Sequence, residues 1–506
     1  MKFTDEQQAA IDLSIQGENF SLVAPAGSGK SATAVGIAKA LKSRLVSAGE
    51  KGLYLVYNTQ ARKEAEEKFR NAGITWFDVR TTSQFGWRAY ADTHQDRMRL
   101  DAKHVPAKEV AQIMGLQTKD FGDNLIMDGF TQARLADEAI GRFCNSSRSK
   151  ITADIVYLPV VGPGPAAVEA ARNYIARLAW TLWKRAVMPD AKLRFTMNHA
   201  FKLVAESGKN YGYAVVIIDE AQDSNDTTMK FLANQKGAQG ILIGDPAQSL
   251  YGWRGASDQI MRYDAPRLYL TQSFRFGDAV AEEAMKHLPH TETGVTIKGL
   301  STIKDLVTED DMEDPDVVLT RSNAGAMTYA ISYLAIGKRV ALVKGTKPIL
   351  DMAFAARDLM AGRKAKSFEL SAFNNWAELI EYTNEPGGGQ LKALVKLVNA
   401  YGVSRLIEAC NKMTTYNPRY PDHDVAVTTC HSIKGLEWDN VLIGDDFTEP
   451  EPFENPLTQE MEPGVIDRNE AMVHYVAVTR PRKHLDRGGL KWIDKYPAPV
   501  PDALGK

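Results

Sequence analysis

FSLVAPAGSGKSATA, Phe20 to Ala34, is the stretch on which the fold turns. FSLVA reads as a buried strand and is followed by a loop of small residues. Lys30-Ser31 then open a helical pattern that runs to about Leu45. Strand, loop and helix in that order form the repeating unit of parallel α/β sheets. Successive backbone N–H groups of such a loop can cradle phosphate oxygens, and the helix N-terminus adds a favourable dipole. In that reading Lys30 reaches the β- and γ-phosphates and the Ser31 hydroxyl ligates Mg²⁺. The plain alternative is a Gly/Ser turn with a solvated lysine. Ala24 stands where the first glycine of the pattern usually stands, while the GSGKS core, Gly27 to Ser31, is intact.

Outward from this loop, further short apolar runs alternate with longer helical patterns. LYLVY (Leu53–Tyr57), VVIID (Val215–Asp219), ILIGD (Ile241–Asp245), DVVLT (Asp316–Thr320), VALVKG (Val340–Gly345), DVAVTT (Asp424–Thr429) and NVLIGDD (Asn440–Asp446) read as strands. Such alternation argues for parallel α/β units. The strands fall into two groups, each interrupted by a mostly helical stretch. The predicted organisation is a first core over residues 1–90 and 205–270 and a second over 271–345 and 415–506. Each core carries an insertion, at 91–204 and 346–414. VVGPGPAA (Val160–Ala167) and the PGGG break at Pro386 to Gly389 read as loops inside the insertions.

Two further strand ends carry chemistry. VVIIDEAQD, Val215 to Asp223, ends four apolar residues in adjacent acids. Asp219 is placed to hold Mg²⁺ through water and Glu220 to polarise an attacking water, the two tasks phosphoryl transfer demands. A strand followed by an acidic helix start is the bland reading. GDPAQSLYGWRGA, Gly244 to Ala256, sets Asp245 and Gln248 at a strand end, then Tyr251, Trp253 and Arg254. Strand-end polar groups are where open sheets place ligands. Aromatics followed by Arg suit single-stranded nucleic acid, since any base can stack on a ring. Two arginines, Arg275 in SFR and Arg480 in VTRPRK, are candidate clamps for charge developing on a transferred phosphoryl group. Phe274 is a candidate to stack on an adenine ring.

Composition bounds the rest. At 506 residues the chain is too long for one small core. With 44% hydrophobic and 25% charged residues it reads as a globular protein. No apolar run approaches the ~20 residues that span a bilayer. MKFTDEQQAAIDLS has acids where a signal peptide has its apolar core, so a cytoplasmic protein without secretion signal is expected. Cys144, Cys410 and Cys430 are far apart and form neither a metal pattern nor a disulfide framework, which fits a reducing compartment. A net charge of −2 means that a nucleic-acid surface has to be a local basic patch.

APAGSGKS, DEAQD, GDPAQSLYGWRGA, SFR, HSIKGLEWD and YVAVTR occur in that order. The set resembles the superfamily 1 DNA helicases of the UvrD/Rep type and covers nearly the whole chain. YNTQARKEAEEKF (Tyr57–Phe69), FTMNHAFKL (Phe195–Leu203) and HSIKGLEWDNVLIGDDF (His431–Phe447) resemble the helicase part of the F-box DNA helicases and their shorter bacterial and phage relatives. Because the motifs begin at Phe3, no F-box-like segment is expected ahead of them.

The resemblance implies two RecA-like cores with ATP and Mg²⁺ between them and a phosphate loop of Ala26, Gly27, Ser28, Gly29, Lys30, Ser31 and Ala32. It implies that Gln7 reads the adenine, Gln248 senses the γ-phosphate, Arg275 and Arg480 act as fingers, and Glu437 approaches the ribose and phosphates. Asn58, Tyr251, Trp253, Arg254, His431 and Lys434 would contact DNA. RTTSQFGW departs from the family's Thr-x-His-Ser element, with Ser83 in place of the His and Gln84 after it. The second insertion is shorter than in larger relatives, and no nuclease constellation follows Arg480.

The implied activity is a monomeric ATP-driven helicase moving 3′→5′ on single-stranded DNA and acting at duplex–single-strand junctions. Replication or recombination proteins are the implied possible partners. The rival readings are an ATP-driven remodeller that strips proteins from DNA without robust unwinding, an RNA-directed motor, and a nucleotide switch with degenerate hydrolysis.

Overall fold

The computed structural model describes residues 2–98, 105, 107–158, 162–250, 259–363, 365, 370, 373–383, 389–418, 422–454 and 459–497. The chain divides into two compact units, one of Met1–Ala24 with Gly29–Leu270 and one of Pro25–Ser28 with Thr271–Lys506.

The first unit is built on a six-stranded sheet of β1 (Phe20–Val23), β2 (Lys51–Val56), β3 (Phe77–Thr81), β4 (Tyr213–Ile218), β5 (Gln239–Gly244) and β6 (Arg267–Tyr269). The order is β3-β2-β4-β5-β1-β6, with every pairing parallel. Burial follows position in the sheet. All residues of β1 and β5 are buried, as helices on both faces of a parallel sheet require. The edge strand β3, FDVRT, alternates between buried and half-buried residues. The core joins Phe20, Leu22, Ile217, Ile241 and Ile243 to Ile37 and Leu41.

Three helices of this unit are α1 (Asp5–Ile15), α2 (Lys30–Ala40) and α3 (Thr59–Asn71). The helical pattern expected to reach Leu45 is broken, because α2 ends at Ala40 and a short helix resumes at Lys42–Ser47. Between β3 and β4 lie the helices Gly129–Cys144 and Pro165–Ala186, packed on a cluster of their own that includes Leu135, Phe143, Ile175 and Trp183. Pro165 opens the longer helix at a position where no backbone donor is needed, so the Gly-Pro break marks a helix start.

The second unit holds a seven-stranded parallel sheet: β7 (Leu306–Thr308), β8 (Val317–Thr320), β9 (Val340–Leu342), β10 (Thr414–Thr415), β11 (Val425–Thr429), β12 (Trp438–Ile443) and β13 (Pro481–Asp486). Its order is β10-β9-β11-β8-β12-β13-β7. The helices Lys347–Met360, Trp376–Thr383, Gly389–Tyr401 and Val403–Lys412 lie between β9 and β10. Here the interrupting segment shares the sheet's core: Leu359, Leu379, Leu394 and Leu406 belong to one cluster with Val318, Val340, Leu342 and Val427. The helix α4 (Arg468–Val478) is capped by Asp467, whose carboxylate accepts from the N–H groups of Asn469 and Glu470.

Two buried histidines, His287 and His474, and the half-buried His290 lie in this unit. His287 and His474 lie with ring centroids 5.5 Å apart, and His474 is packed edge-on against Phe447 and Trp492. Burial depresses the pKa of His287, His290 and His474. For His287 burial outweighs the Glu283 carboxylate, 3.7 Å from its Nε2. In the unfolded chain each titrates near 6.5. The unfolded state therefore binds more protons below that pH, so the contribution to stability is full above about pH 6.5 and lost as pH falls toward the folded values. A thermal melt is expected to show a lower midpoint for this unit at pH 5.5 than at pH 7.5. An unchanged midpoint would mean that these rings take up protons without penalty.

Candidate nucleotide site

The site begins where β1 meets α2. Gly29 occupies the helix N-cap in the left-handed region (φ +82°), which leaves the first N–H groups of α2 without a side-chain cap. Those donors and the dipole make a ready anion site. Lys30 and Ser31 follow on the first turn. The Lys30 ammonium lies 3.5 Å from a Glu220 carboxylate oxygen, and both side chains are largely covered. Lys68, on α3, donates to the Ser31 hydroxyl at 3.0 Å.

Asp219 and Glu220 sit just past the C-terminal end of β4. The Asp219 N–H continues the sheet by donating to Leu55 O at 2.9 Å. Both Asp219 carboxylate oxygens are engaged, one by the Glu220 N–H at 2.9 Å and the other by the Tyr54 hydroxyl at 2.6 Å. Burial first, and then the neighbouring Glu220, raises the Asp219 pKa; the Tyr54 hydrogen bond and Lys30 oppose the rise. Glu220 has φ +52°. A non-glycine residue there costs on the order of 1–3 kcal/mol, and such strain collects at functional sites.

A relay of side chains runs from Glu220 to the end of β5. Gln222 Nε2 donates to Glu220 at 2.6 Å, and Gln222 Oε1 accepts from the Asp245 N–H at 3.0 Å. Gln248 Nε2 donates to Asp245 at 2.7 Å. Gln222, Asp245 and Gln248 are all buried. A Cβ on Gly244 would lie 2.1 Å from Gln222 Oε1, so only glycine lets β5 approach the relay.

The first unit thus brings together Lys30, Ser31, Asp219 and Glu220, and Gln248 joins through the relay. Gln7 and Asn58 have local duties. Gln7 and Thr4 form a capping box at the start of α1, and the Asn58 side chain accepts from the Ala61 N–H at the start of α3. Ala32 follows Ser31 within α2, and Ser83 lies on the helix Thr82–Met98. Tyr251, Trp253 and Arg254 lie outside the described residues.

The second unit groups the remaining residues. Arg275 donates to Glu437 at 2.8 Å and to Thr479 O at 2.9 Å. Arg480 is 1% exposed and donates to Val476 O and to the Thr479 hydroxyl. The segment Pro25–Ser28 packs within this unit: the Ala26 N–H donates to the Tyr475 hydroxyl at 3.0 Å, and the Phe274 N–H donates to Gly27 O at 2.8 Å. The Phe274 ring is 45% exposed. His431 and Lys434 lie on the turn after β11, and burial together with Arg321 lowers the His431 pKa.

The donor set suits a hard cation that arrives with phosphate. Mg²⁺ takes one or two protein oxygens, several waters and substrate oxygens. The Ser31 hydroxyl already faces a positive charge, that of Lys68. No group of three or more His, Cys, Asp or Glu able to hold a metal occurs among the described residues. No helix among them is long and apolar enough to cross a membrane.

Sequence reasoning assigned no role to Tyr54, Lys68, Gln222 or Tyr475. Gln222 lies inside the DEAQD motif, where an amide two residues past a carboxylate is a visible signal. Tyr54 and Lys68 reach the site across a strand and a helix, and no local pattern marks them; Tyr475 opens the YVAVTR motif.

The UvrD/REP helicase N-terminal domain matches residues 3–267 of the chain. F-box DNA helicase protein 1 of Schizosaccharomyces pombe is 23% identical over 521 residues, covering 95% of this chain and 57% of that protein. F-box DNA helicase 1 of Gallus gallus is 24% identical over 516 residues, covering 96% and 49%. A probable DNA helicase II homolog of Mycoplasma capricolum is 25% identical over 301 residues, covering 54% and 39%. The chain spans about half the length of the curated relatives it matches.

Proposed function

Because the chain belongs to the UvrD/REP helicase family, we propose that it is an ATP-dependent DNA helicase that moves 3′→5′ along single-stranded DNA and opens duplex at a single-strand junction. The observation that carries the reading is the gathering of Lys30, Ser31, Asp219 and Glu220 at the C-terminal ends of β1 and β4. A strand-end phosphate loop beside two acids is the equipment of phosphoryl transfer to water.

Each residue has a task in this reading. The α2 N-terminus and Lys30 bind the β- and γ-phosphates. Ser31 and Asp219 hold Mg²⁺, which when bound neutralises charge on the phosphate oxygens. Glu220 takes a proton from the attacking water. Gln222 holds Glu220 from one side and ties it, through Asp245, to Gln248. Asp245 and Gln248 lead in sequence into Tyr251, Trp253 and Arg254, the segment proposed to stack on bases. Hydrolysis at Glu220 would thereby be tied to the grip on the strand. Arg275 and Arg480 supply positive charge for the transition state, with Glu437 holding Arg275 in place.

The testing experiment measures ATP turnover and unwinding together on duplexes with 3′ or 5′ tails. Single-stranded DNA is expected to stimulate turnover, and only the 3′-tailed duplex to be opened. Turnover indifferent to DNA would reject the motor. Stimulation without unwinding, together with stripping of a protein filament, would leave the remodeller in its place. Stronger stimulation by RNA would make the track RNA.

Trp253→Ala is expected to weaken binding of an oligonucleotide by about 1–3 kcal/mol, the worth of one base stacked on an aromatic ring. Fluorescence anisotropy of a labelled strand measures this. Unchanged affinity would remove Trp253 from the track.

A further inference from the structure

Tyr54 sits in β2 opposite Ile217 of β4, two positions before Asp219. It is 2% exposed, and its ring packs 5.0 Å from that of Phe69 on α3. A buried tyrosine needs an acceptor for its hydroxyl, and a carbonyl would serve. Tyr54 instead donates at 2.6 Å to a carboxylate oxygen of Asp219, whose other oxygen accepts from the Glu220 N–H. The two hydrogen bonds fix the rotation of the carboxyl about its own axis. One residue before Phe69, Lys68 holds the Ser31 hydroxyl. Adjacent residues of α3 therefore back the supports of both oxygen donors, Phe69 behind Tyr54 and Lys68 directly on Ser31.

We propose that Tyr54 is a positioning residue that aims the Asp219 carboxylate at the cation accompanying the nucleotide. The inference rests on the nucleotide-site reading above and adds to it a group from a neighbouring strand. A partner of this kind restricts the orientation of a metal ligand, and losing one typically weakens metal affinity about 10–100-fold. The bond is charge-assisted, so it is stronger than one to a neutral carbonyl.

The test is a Mg²⁺ titration of binding of the β,γ-imido analogue of ATP, comparing wild type with Tyr54→Phe. The variant removes only the hydroxyl and leaves the ring on Phe69, so the fold is retained. The Mg²⁺ concentration at half-saturation is expected to rise about 10-fold, with analogue affinity in EDTA unchanged. A hydroxyl with a merely structural role would leave the Mg²⁺ half-saturation at its wild-type value, whatever it did to the melting temperature, and that result overturns the proposal. If wild type itself binds the analogue without regard to Mg²⁺, the nucleotide-site reading falls and the role of Tyr54 falls with it.

Discussion

Lys30→Ala is expected to abolish measurable ATP turnover while leaving the fold intact. Lys30 occupies the first turn of α2, where the backbone presents N–H groups that no side chain caps. Its ammonium adds the one mobile positive charge on that turn. Charge on the γ-phosphate oxygens grows as the bond to the leaving group breaks, so the interaction strengthens toward the transition state. Removing a single such stabiliser costs roughly 10²–10³ in kcat. The effect here is expected to reach the upper end, because Lys30 also lies 3.5 Å from Glu220 and helps to orient it. Steady-state ATP hydrolysis with saturating single-stranded DNA checks this, with circular dichroism to establish folding. Turnover within a few-fold of wild type would mean that the loop after β1 binds no phosphate.

Glu220→Gln should separate binding from chemistry. The substitution preserves shape and removes the charge and the basicity. The Gln222 amide, 2.6 Å from Glu220, finds an acceptor oxygen on the new side chain as well, so the group stays in place. Its φ of +52° is no more costly for glutamine than for glutamate. A general base contributes roughly 10²–10⁴ to rate. Hydrolysis should fall by that factor while ATP still binds, and a slowly hydrolysing complex should accumulate on single-stranded DNA. Filter binding with labelled ATP and a single-turnover measurement distinguish the two effects. Persistent hydrolysis would assign the proton to another group, and lost ATP binding would make Glu220 a phosphate-site residue.

The parts of this site legible in the sequence are those whose chemistry is local. A small-residue loop between an apolar run and a helix can be recognised from Phe20 to Ala34 alone, because strand burial, loop conformation and helix dipole depend on neighbours in the chain. The same holds for Asp219 and Glu220, which follow β4 directly. Capping is also local: Thr4 and Gln7 stand three apart ahead of an apolar helix, the spacing of a capping box.

Other features were out of reach because they join residues distant in the chain. The Tyr54 hydroxyl meets Asp219 only because β2 and β4 are neighbours in register. Gln222 meets the Asp245 N–H only because β4 and β5 pair. The packing of the two interruptions was likewise hidden. Both read as mostly helical, yet the helices between β3 and β4 bury a cluster of their own, whereas those between β9 and β10 close over the sheet.

Sequence alone determined the parallel α/β class, the small-residue loop between β1 and α2 and the pair of acids that follows β4, since hydrophobic periodicity and short-range backbone chemistry are written in consecutive residues. Tertiary structure decided which groups hold those acids: Tyr54 on Asp219, and Lys30 and Gln222 on Glu220. Strand order brings these partners within hydrogen-bonding distance, and strand order follows from how all the apolar faces are buried together.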